Sequence, residues 1–187
     1  LFTKDKNGKT LITVPKYSYR PIEDSYRTDG YKFHMLTFDL KGNIIEKRMI
    51  EEKVKQDNFK RLANTQIYCS GDKVFQFDKN MKLISNTTLE EFEEVSGGYF
   101  AYFISDQLIE INQQRCMVIL LEYEHLIAFV NIDSGKIVRK IKINGRSEFI
   151  PLIEDINKDG RMDLLFSDDS NQLSCIDLGK GINILNK

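Results

Sequence analysis

One short turn recurs along this chain and limits what it can fold into. The segments TFDLKGNII (37–45), QFDKNMKLI (76–84), VNIDSGKIV (130–138) and SCIDLGKGI (174–182) share a plan. Each sets an apolar residue before an aspartate, follows with a short polar or glycine-containing turn, and resumes an apolar run. The aspartates are Asp39, Asp78, Asp133 and Asp177. An N-terminal stretch, TKDKNGKTLITV (3–14), is a weaker copy of the same turn and strand. An Asp at such a position accepts hydrogen bonds from the amides of its own turn, so a structural role accounts for it. The runs between turns, such as FHMLTF (33–38), KVFQF (73–77), MVILLEY (117–123) and LIAFVNI (126–132), are short and rich in Ile, Val, Phe, Tyr and Thr. That pattern predicts strands. Only NIIEKRMIEEKVKQDNFKRLA (43–63) and TTLEEFEEVS (87–96) carry enough helix formers to compete. The first begins as a strand, and its remainder is open between a polar helix and a long connection.

The repeat extends beyond the turn. LIEINQQRCMVILLEYEHLIAFVNIDSGK (108–136) runs parallel to LIEDINKDGRMDLLFSDDSNQLSCIDLGK (152–180), with one or two single-residue shifts. The turn aspartates lie 39, 55 and 44 residues apart. Four-stranded propeller blades repeat at about 40–50 residues. A small meander of this size cannot bury both faces alone, so neighbouring units must stack to complete a core. The expected fold is therefore all-β: an antiparallel, repeat-built β-propeller or partial propeller within one domain. Its blade-like units fall at about 3–50, 59–89, 98–143 and 147–187. Four units are few for a closed ring. The chain is expected to be part of one, to be completed by a partner chain, or to form an open stack.

Within the last unit, IEDINKDGRMDLLF (153–166) concentrates oxygen donors. Ca²⁺ is a hard cation that takes 6–8 oxygen ligands. Asp155, Asn157 and Asp159 offer side-chain oxygens at alternating positions, and Gly160 permits a sharp bend. Arg161 can offer only its backbone carbonyl, because its side chain has no acceptor. Asp163 can close the shell. The start matches an EF-hand loop, but Phe166 stands where that loop needs a bidentate Glu, and a strand follows instead of a helix. The plainer reading is an Asx-rich turn whose carboxylates cap backbone amides. Against it, three carboxylates this close repel one another unless a cation is present. Magnesium fits less well, since it prefers fewer protein ligands and more water. The aligned INQQRCMV (111–118) lacks the anionic set, so the repeat does not require a metal.

The Asp-turn units resemble the hairpins of quinoprotein-like β-propellers, and DINKDGRMDLLF (155–166) is similar to the calcium loop of the FG-GAP/VCBS repeats of integrin-α-like propellers. Trp is absent, so the resemblance implies shared architecture rather than quinone chemistry. It implies calcium held by Asp155, Asn157, Asp159, the Arg161 carbonyl and Asp163. It also implies a calcium-stabilised binding or scaffold module that engages a protein, or a glycan, outside the cell or in the periplasm. The alternatives are part of a propeller enzyme, quinoprotein-like or polysaccharide-cleaving, and the sensor domain of a receptor.

The rest of the sequence narrows the field. A net charge of -1 gives no basic excess for nucleic acid. No apolar run approaches the roughly 20 residues of a membrane helix. The chain opens on LFTKDKNGK without Met, which reads as the interior of a longer protein. Cys69, Cys116 and Cys175 all sit in alternating apolar stretches, which predicts small buried core residues. His34 and His125 read as packed or edge histidines. Tyr17, Tyr19, Tyr26 and Tyr31 fall in PKYSYRPIEDSYRTDGYKF (15–33), read as a long loop over its own unit or a contact surface.

Overall fold

The computed structural model describes residues 2–5, 7–19, 31–54, 60–62, 66–70, 73–78, 80–89, 102–121, 125–145, 147, 150–167 and 172–185. Among them all regular structure is β, the strand pairings are antiparallel, and there is no helix. No helix is long and apolar enough to cross a membrane among the described residues. The chain divides into two compact units, Leu1–Phe59 with Gln66–Asn86, and Lys60–Thr65 with Thr87–Lys187.

In the first unit, β1 (Phe2–Lys4), β2 (Thr10–Tyr19), β3 (Tyr31–Phe38) and β4 (Ile44–Val54) form a meander in chain order. The short β5 (Lys60–Leu62) belongs to the second unit. β6 (Ile67–Ser70) and β7 (Lys73–Phe77) pair antiparallel, with β8 (Leu83–Thr88) beside β7. Side chains alternate across a strand, so Phe33 and Met35 share one face of β3. They pack with Tyr68, Phe75, Phe77 and Met81. The ring pairs are tilted or edge-on, at 4.9 Å for Phe33–Phe75 and 5.6 Å for Tyr68–Phe77, the arrangements that aromatic quadrupoles favour.

The second unit centres on β9 (Tyr102–Ile111), β10 (Gln114–Leu121), β11 (Leu126–Asn131) and β12 (Ile137–Lys142). A separate sheet follows from β13 (Leu152–Glu154), β14 (Asp163–Ser167) and β15 (Leu173–Asp177). The final strand, β16 (Ile182–Ile184), leaves that sheet and pairs with β9 instead. Ile109, Val118, Phe129, Ile153, Leu164 and Ile182 belong to one core. The loop between β13 and β14 thus stands at the rim of a sheet that shares a core with its neighbour.

The recurring turn has one geometry in three places. At Asp5, Asp39 and Asp78 the aspartate N–H donates to the carbonyl four residues on, and its carbonyl accepts from the amide three residues on. Its Oδ1 also accepts two amides, from Asn7 and Lys9, Lys41 and Asn43, and Asn80 and Lys82, at 2.8–2.9 Å. Each is a three-residue hairpin loop closed by a left-handed residue. Gly8 and Gly42 fill the left-handed position, whereas Met81 fills it at φ 61° with its side chain buried in the core. The fourth copy differs from expectation. Asn131, not Asp133, caps that turn, its Oδ1 accepting the Asp133 and Ser134 amides at 2.9 and 2.8 Å. Asp133 pairs instead with Arg115. The loop is one residue longer, so the capping residue sits earlier in the motif. Asp177 keeps a single amide, that of Gly179 at 2.7 Å.

Other expectations need correction. The helix-prone segment after Asn43 is strand through Val54; Lys73 and Asn86 meet Glu51, and the Met81 carbonyl accepts from Arg48. These partners override intrinsic propensity. Residues 15–19 and 31–33 are paired strand rather than loop, with Tyr17 opposite Phe33 and Tyr19 opposite Tyr31. Tyr26 and residues 90–96 of the second helix-prone segment lie outside the described residues. Cys69 and Cys116 are buried as expected, and burial pushes the Cys116 thiol up to about 11. Cys175 is exposed, contrary to expectation, because side chains alternate along β15 and it lies on the face opposite to Ile176, which packs against the core.

His34 is buried on β3. Burial first, then Lys47, Lys32 and Lys16, hold its pKa below the ordinary value. The folded state therefore takes up fewer protons than the unfolded chain, and stability falls as pH drops through about 6.5. His34→Gln is expected to flatten the fall in melting temperature between pH 7.5 and 5.5, read by circular dichroism. Equal slopes for both proteins would discount this role.

Candidate metal centre

Asp155 stands at the end of β13 and curls the loop. Its Oδ1 accepts the Asp159 amide at 3.1 Å and its Oδ2 accepts the Gly160 amide at 3.0 Å. The Asn157 Oδ1 also accepts the Asp159 amide, at 3.0 Å. Lys158 and Gly160 both take left-handed backbone, at φ 60° and 83°. At the far end Asp163 opens β14. It is 4% exposed, and its Oδ2 accepts the Ile156 amide at 3.1 Å. Asp155, Asn157 and Asp159 are thus tied into one curl, while Asp163 anchors the loop's return to the sheet.

The guanidinium of Arg161 changes the electrostatics. It donates to the Asp159 Oδ2 from Nε at 3.0 Å and from Nη2 at 2.6 Å, and its Nη1 lies 2.6 Å from the Asp177 Oδ2. The Asp159 Oδ1 accepts the Arg161 amide, and its Oδ2 accepts the Asn157 Nδ2 at 3.2 Å. The hydrogen bond from the Arg161 side chain, then that from its amide, holds the Asp159 carboxyl below the usual range. Reciprocally, Asp159, then Asp177 and Asp163, push Arg161 up.

Strand register explains why a cation is needed here. Glu154 lies opposite Asp163, and Asp163 lies opposite Asp177, so three carboxylates form a row across β13, β14 and β15. Like charges directly opposite one another are destabilising. Arg161 and the backbone amides answer this repulsion, which weakens the sequence argument that a metal must do so.

The donor chemistry fits calcium, since every side-chain donor is oxygen and three are anionic. The arrangement fits less well. Among the described residues no three His, Cys, Asp or Glu side chains converge to hold an ion. A cation at the curl would share Asp159 with the Arg161 guanidinium, which holds its Oδ2. Sequence reading assigned Arg161 only its carbonyl and missed the side chain. Its signal was an Asp-x-Arg step in an acidic turn whose strand pairs with another Asp-bearing strand.

The aligned position in the preceding repeat is built differently. Asn112 and Gln113, at φ 48° and 65°, make a two-residue turn between β9 and β10. That is the tight mirror-image turn typical of hairpins, and it has no room for an ion-binding curl.

One side chain fixes the loop-bearing sheet to its neighbour. β9 carries a bulge: Ile104 faces Ile119 and Leu108 faces Met117, so Ser105, Asp106 and Gln107 together oppose Val118. Bulges re-aim side chains. The Gln107 amide accepts the Ile153 N–H at 2.7 Å and donates to the Ile153 carbonyl at 2.7 Å, as a neighbouring strand would.

No family model matches the chain, and no curated protein matches it. Among solved structures it is similar to a protein of unknown function from Bacteroides caccae, with a TM-score of 0.43 and 13% identity over 86% of this chain. This chain spans 57% of that protein's length.

Proposed function

We propose that this chain is a calcium-stabilised β-propeller-type module that binds a protein, or a glycan, and acts as a scaffold. One observation carries the reading: the Asp155 carboxylate gathers the Asp159 and Gly160 amides. That draws a loop with three anionic donors into a curl at the rim of an antiparallel sheet. The propeller part rests on consecutive strands forming successive antiparallel sheets, with one repeated turn closing hairpins within them. Asp155, Asn157, Asp159 and Asp163 would hold the ion with the Arg161 carbonyl. Bound calcium would secure the loop and the strand it feeds; it has no catalytic part in this reading. Millimolar calcium is found mainly outside the cytosol, so an extracellular or periplasmic setting suits such a module.

Calorimetric titration with calcium chloride and melting curves with and without EDTA test this. An ion at about 100 times its dissociation constant stabilises the folded state by about 2.7 kcal/mol, or roughly 5–10 °C in a chain of this size. Asp159→Ala is expected to abolish both the heat and the shift. No calcium uptake and an EDTA-insensitive melting curve would sink the proposal.

A further inference from the structure

We propose that the open edge of β15 is a self-association site, where two copies of the chain join their last sheets by antiparallel β15–β15 pairing centred on Cys175. The proposal goes beyond the module reading above and does not depend on calcium. β15 ends its sheet, with β14 on one side only. The Leu178 N–H donates to the Met162 carbonyl at 2.9 Å, and from there β14 and β15 pair in register without a bulge. Hydrogen-bonded and non-hydrogen-bonded pairs alternate along an antiparallel ladder, so the main-chain groups of Leu173, Cys175 and Asp177 point away from β14. Open edges are commonly guarded by charge or proline. The edge strand β4 carries Lys47 and Arg48, and the edge strand β12 carries Arg139, Lys140 and Lys142. β15, with the sequence LSCID, has no Lys, Arg or Pro.

Side-chain pattern identifies the occupant as a second copy. Two-fold pairing centred on Cys175 overlaps all five residues of both strands. It sets Cys175 against Cys175, and Leu173 against the second copy's Asp177. The carboxylate row of Glu154, Asp163 and Asp177 then runs on into Leu173 and Ser167 of the other copy. Pairing centred on Asp177 would instead set two carboxylates face to face, which is destabilising, and would overlap fewer residues. On the same face Leu152, Leu165 and Cys175 form a row across β13, β14 and β15. This face is opposite the buried Ile153 and Leu164, and it leaves Leu152 49% and Leu173 72% exposed. Centred pairing continues the row unbroken from one sheet into the other. Addition of a strand to a free sheet edge takes its affinity from main-chain hydrogen bonds and its specificity from alternate side chains. Contact along one five-residue edge is small beside the roughly 1,200–2,000 Å² of a stable interface. The dimer is therefore weak and concentration-dependent.

Sedimentation velocity of the full chain in EDTA, from about 10 μM to about 1 mM, is expected to show a monomer–dimer equilibrium. Leu173→Glu sets a like charge opposite Asp177 twice over in the dimer and should weaken association roughly tenfold. Leu173→Lys sets an opposite charge there and should leave association at least as strong as in the wild type. Equal weakening by both variants would mean non-specific apolar contact and would overturn the pairing. Cys175→Pro gives up only an outward N–H, which an edge strand tolerates, and is expected to weaken the dimer with little change in the circular dichroism spectrum. Should it fold poorly, the two Leu173 variants, at an exposed position, still decide the matter. Facing Cα atoms of a hydrogen-bonded antiparallel pair stand about 5.5 Å apart, within reach of a disulfide. Diamide is therefore expected to link two copies through Cys175: two thiols lose two protons and two electrons, and diamide is reduced to the hydrazine. Cys69 and Cys116 are buried, so peptide mapping should find the 175–175 linkage. Linkage as fast in Leu173→Glu as in the wild type would mean chance collision and count against the site. Monomer at every concentration would overturn self-association and leave this edge to a strand from another protein. Calcium uptake or its absence changes none of these outcomes, so the two proposals fail separately.

Discussion

Gly135→Ala is expected to destabilise the second unit by about 2–5 kcal/mol, which combines a left-handed backbone penalty with an overpacking cost. Gly135 sits at φ 73° in the turn after β11. A Cβ there would meet the Thr88 carbonyl oxygen at 2.1 Å and the Thr87 Cγ2 at 3.2 Å. The first neighbour is backbone, so relief requires the main chain of residue 88 or of the turn to move. The Thr87 hydroxyl donates to the Asp133 carbonyl at 3.3 Å, so the same shift strains a hydrogen bond between the two segments. Gly179→Ala is the matched control: its φ is 84°, yet nothing lies within 4 Å of its Cβ position. It should lose only the backbone part, about 1–2 kcal/mol. Urea unfolding followed by circular dichroism compares them, since the chain has no Trp. Equal losses for the two variants would show that the contact with Thr88 carries no weight.

Gly135 also shows what could be read from sequence. The Asp turns at residues 39 and 78 were legible because their chemistry is local. An Asp oxygen reaches the two amides of its own turn, and a left-handed residue closes it. The fourth turn was framed two residues late, because Asn131 performs the same capping as an Asp in a loop one residue longer. That Gly135 abuts Thr88 had no sequence signal, because the two are brought together only by folding. β4 was obscured for a related reason. Its Glu, Lys and Arg residues favour a helix when alone, but Glu51 finds Lys73 across the fold. The oxygen donors between β13 and β14 were visible as a pattern. The cation that answers them was not, because Asp177 is placed beside Arg161 by the pairing of β14 with β15. Local rules thus exposed the donors, and strand register determined how they are occupied.

Gln107→Leu is expected to cost about 2–6 kcal/mol, since it leaves both main-chain groups of Ile153 without their partner and each such buried group is worth about 1–3 kcal/mol. Ile153 is fully buried and β13 is only three residues long, so little else fixes that edge. The loss should appear as loosening of the candidate loop, because β13 ends where Asp155 begins to curl it. Amide hydrogen exchange at Asp159 and Gly160 would then quicken together with that at Ile153. Gln107→Glu separates hydrogen bonding from packing. The carboxylate still accepts the Ile153 N–H but faces the Ile153 carbonyl without a proton. Near neutral pH it should be nearly as destabilised as the leucine variant. As pH falls through the range of a glutamic acid, about 4–5, the side chain gains an O–H and can again donate. The gap between Gln107→Glu and the wild type should therefore narrow on acidification, while that of Gln107→Leu should not. If both gaps respond alike to pH, the paired hydrogen bonds are not what holds β13 to β9, and the shared apolar core alone must do it.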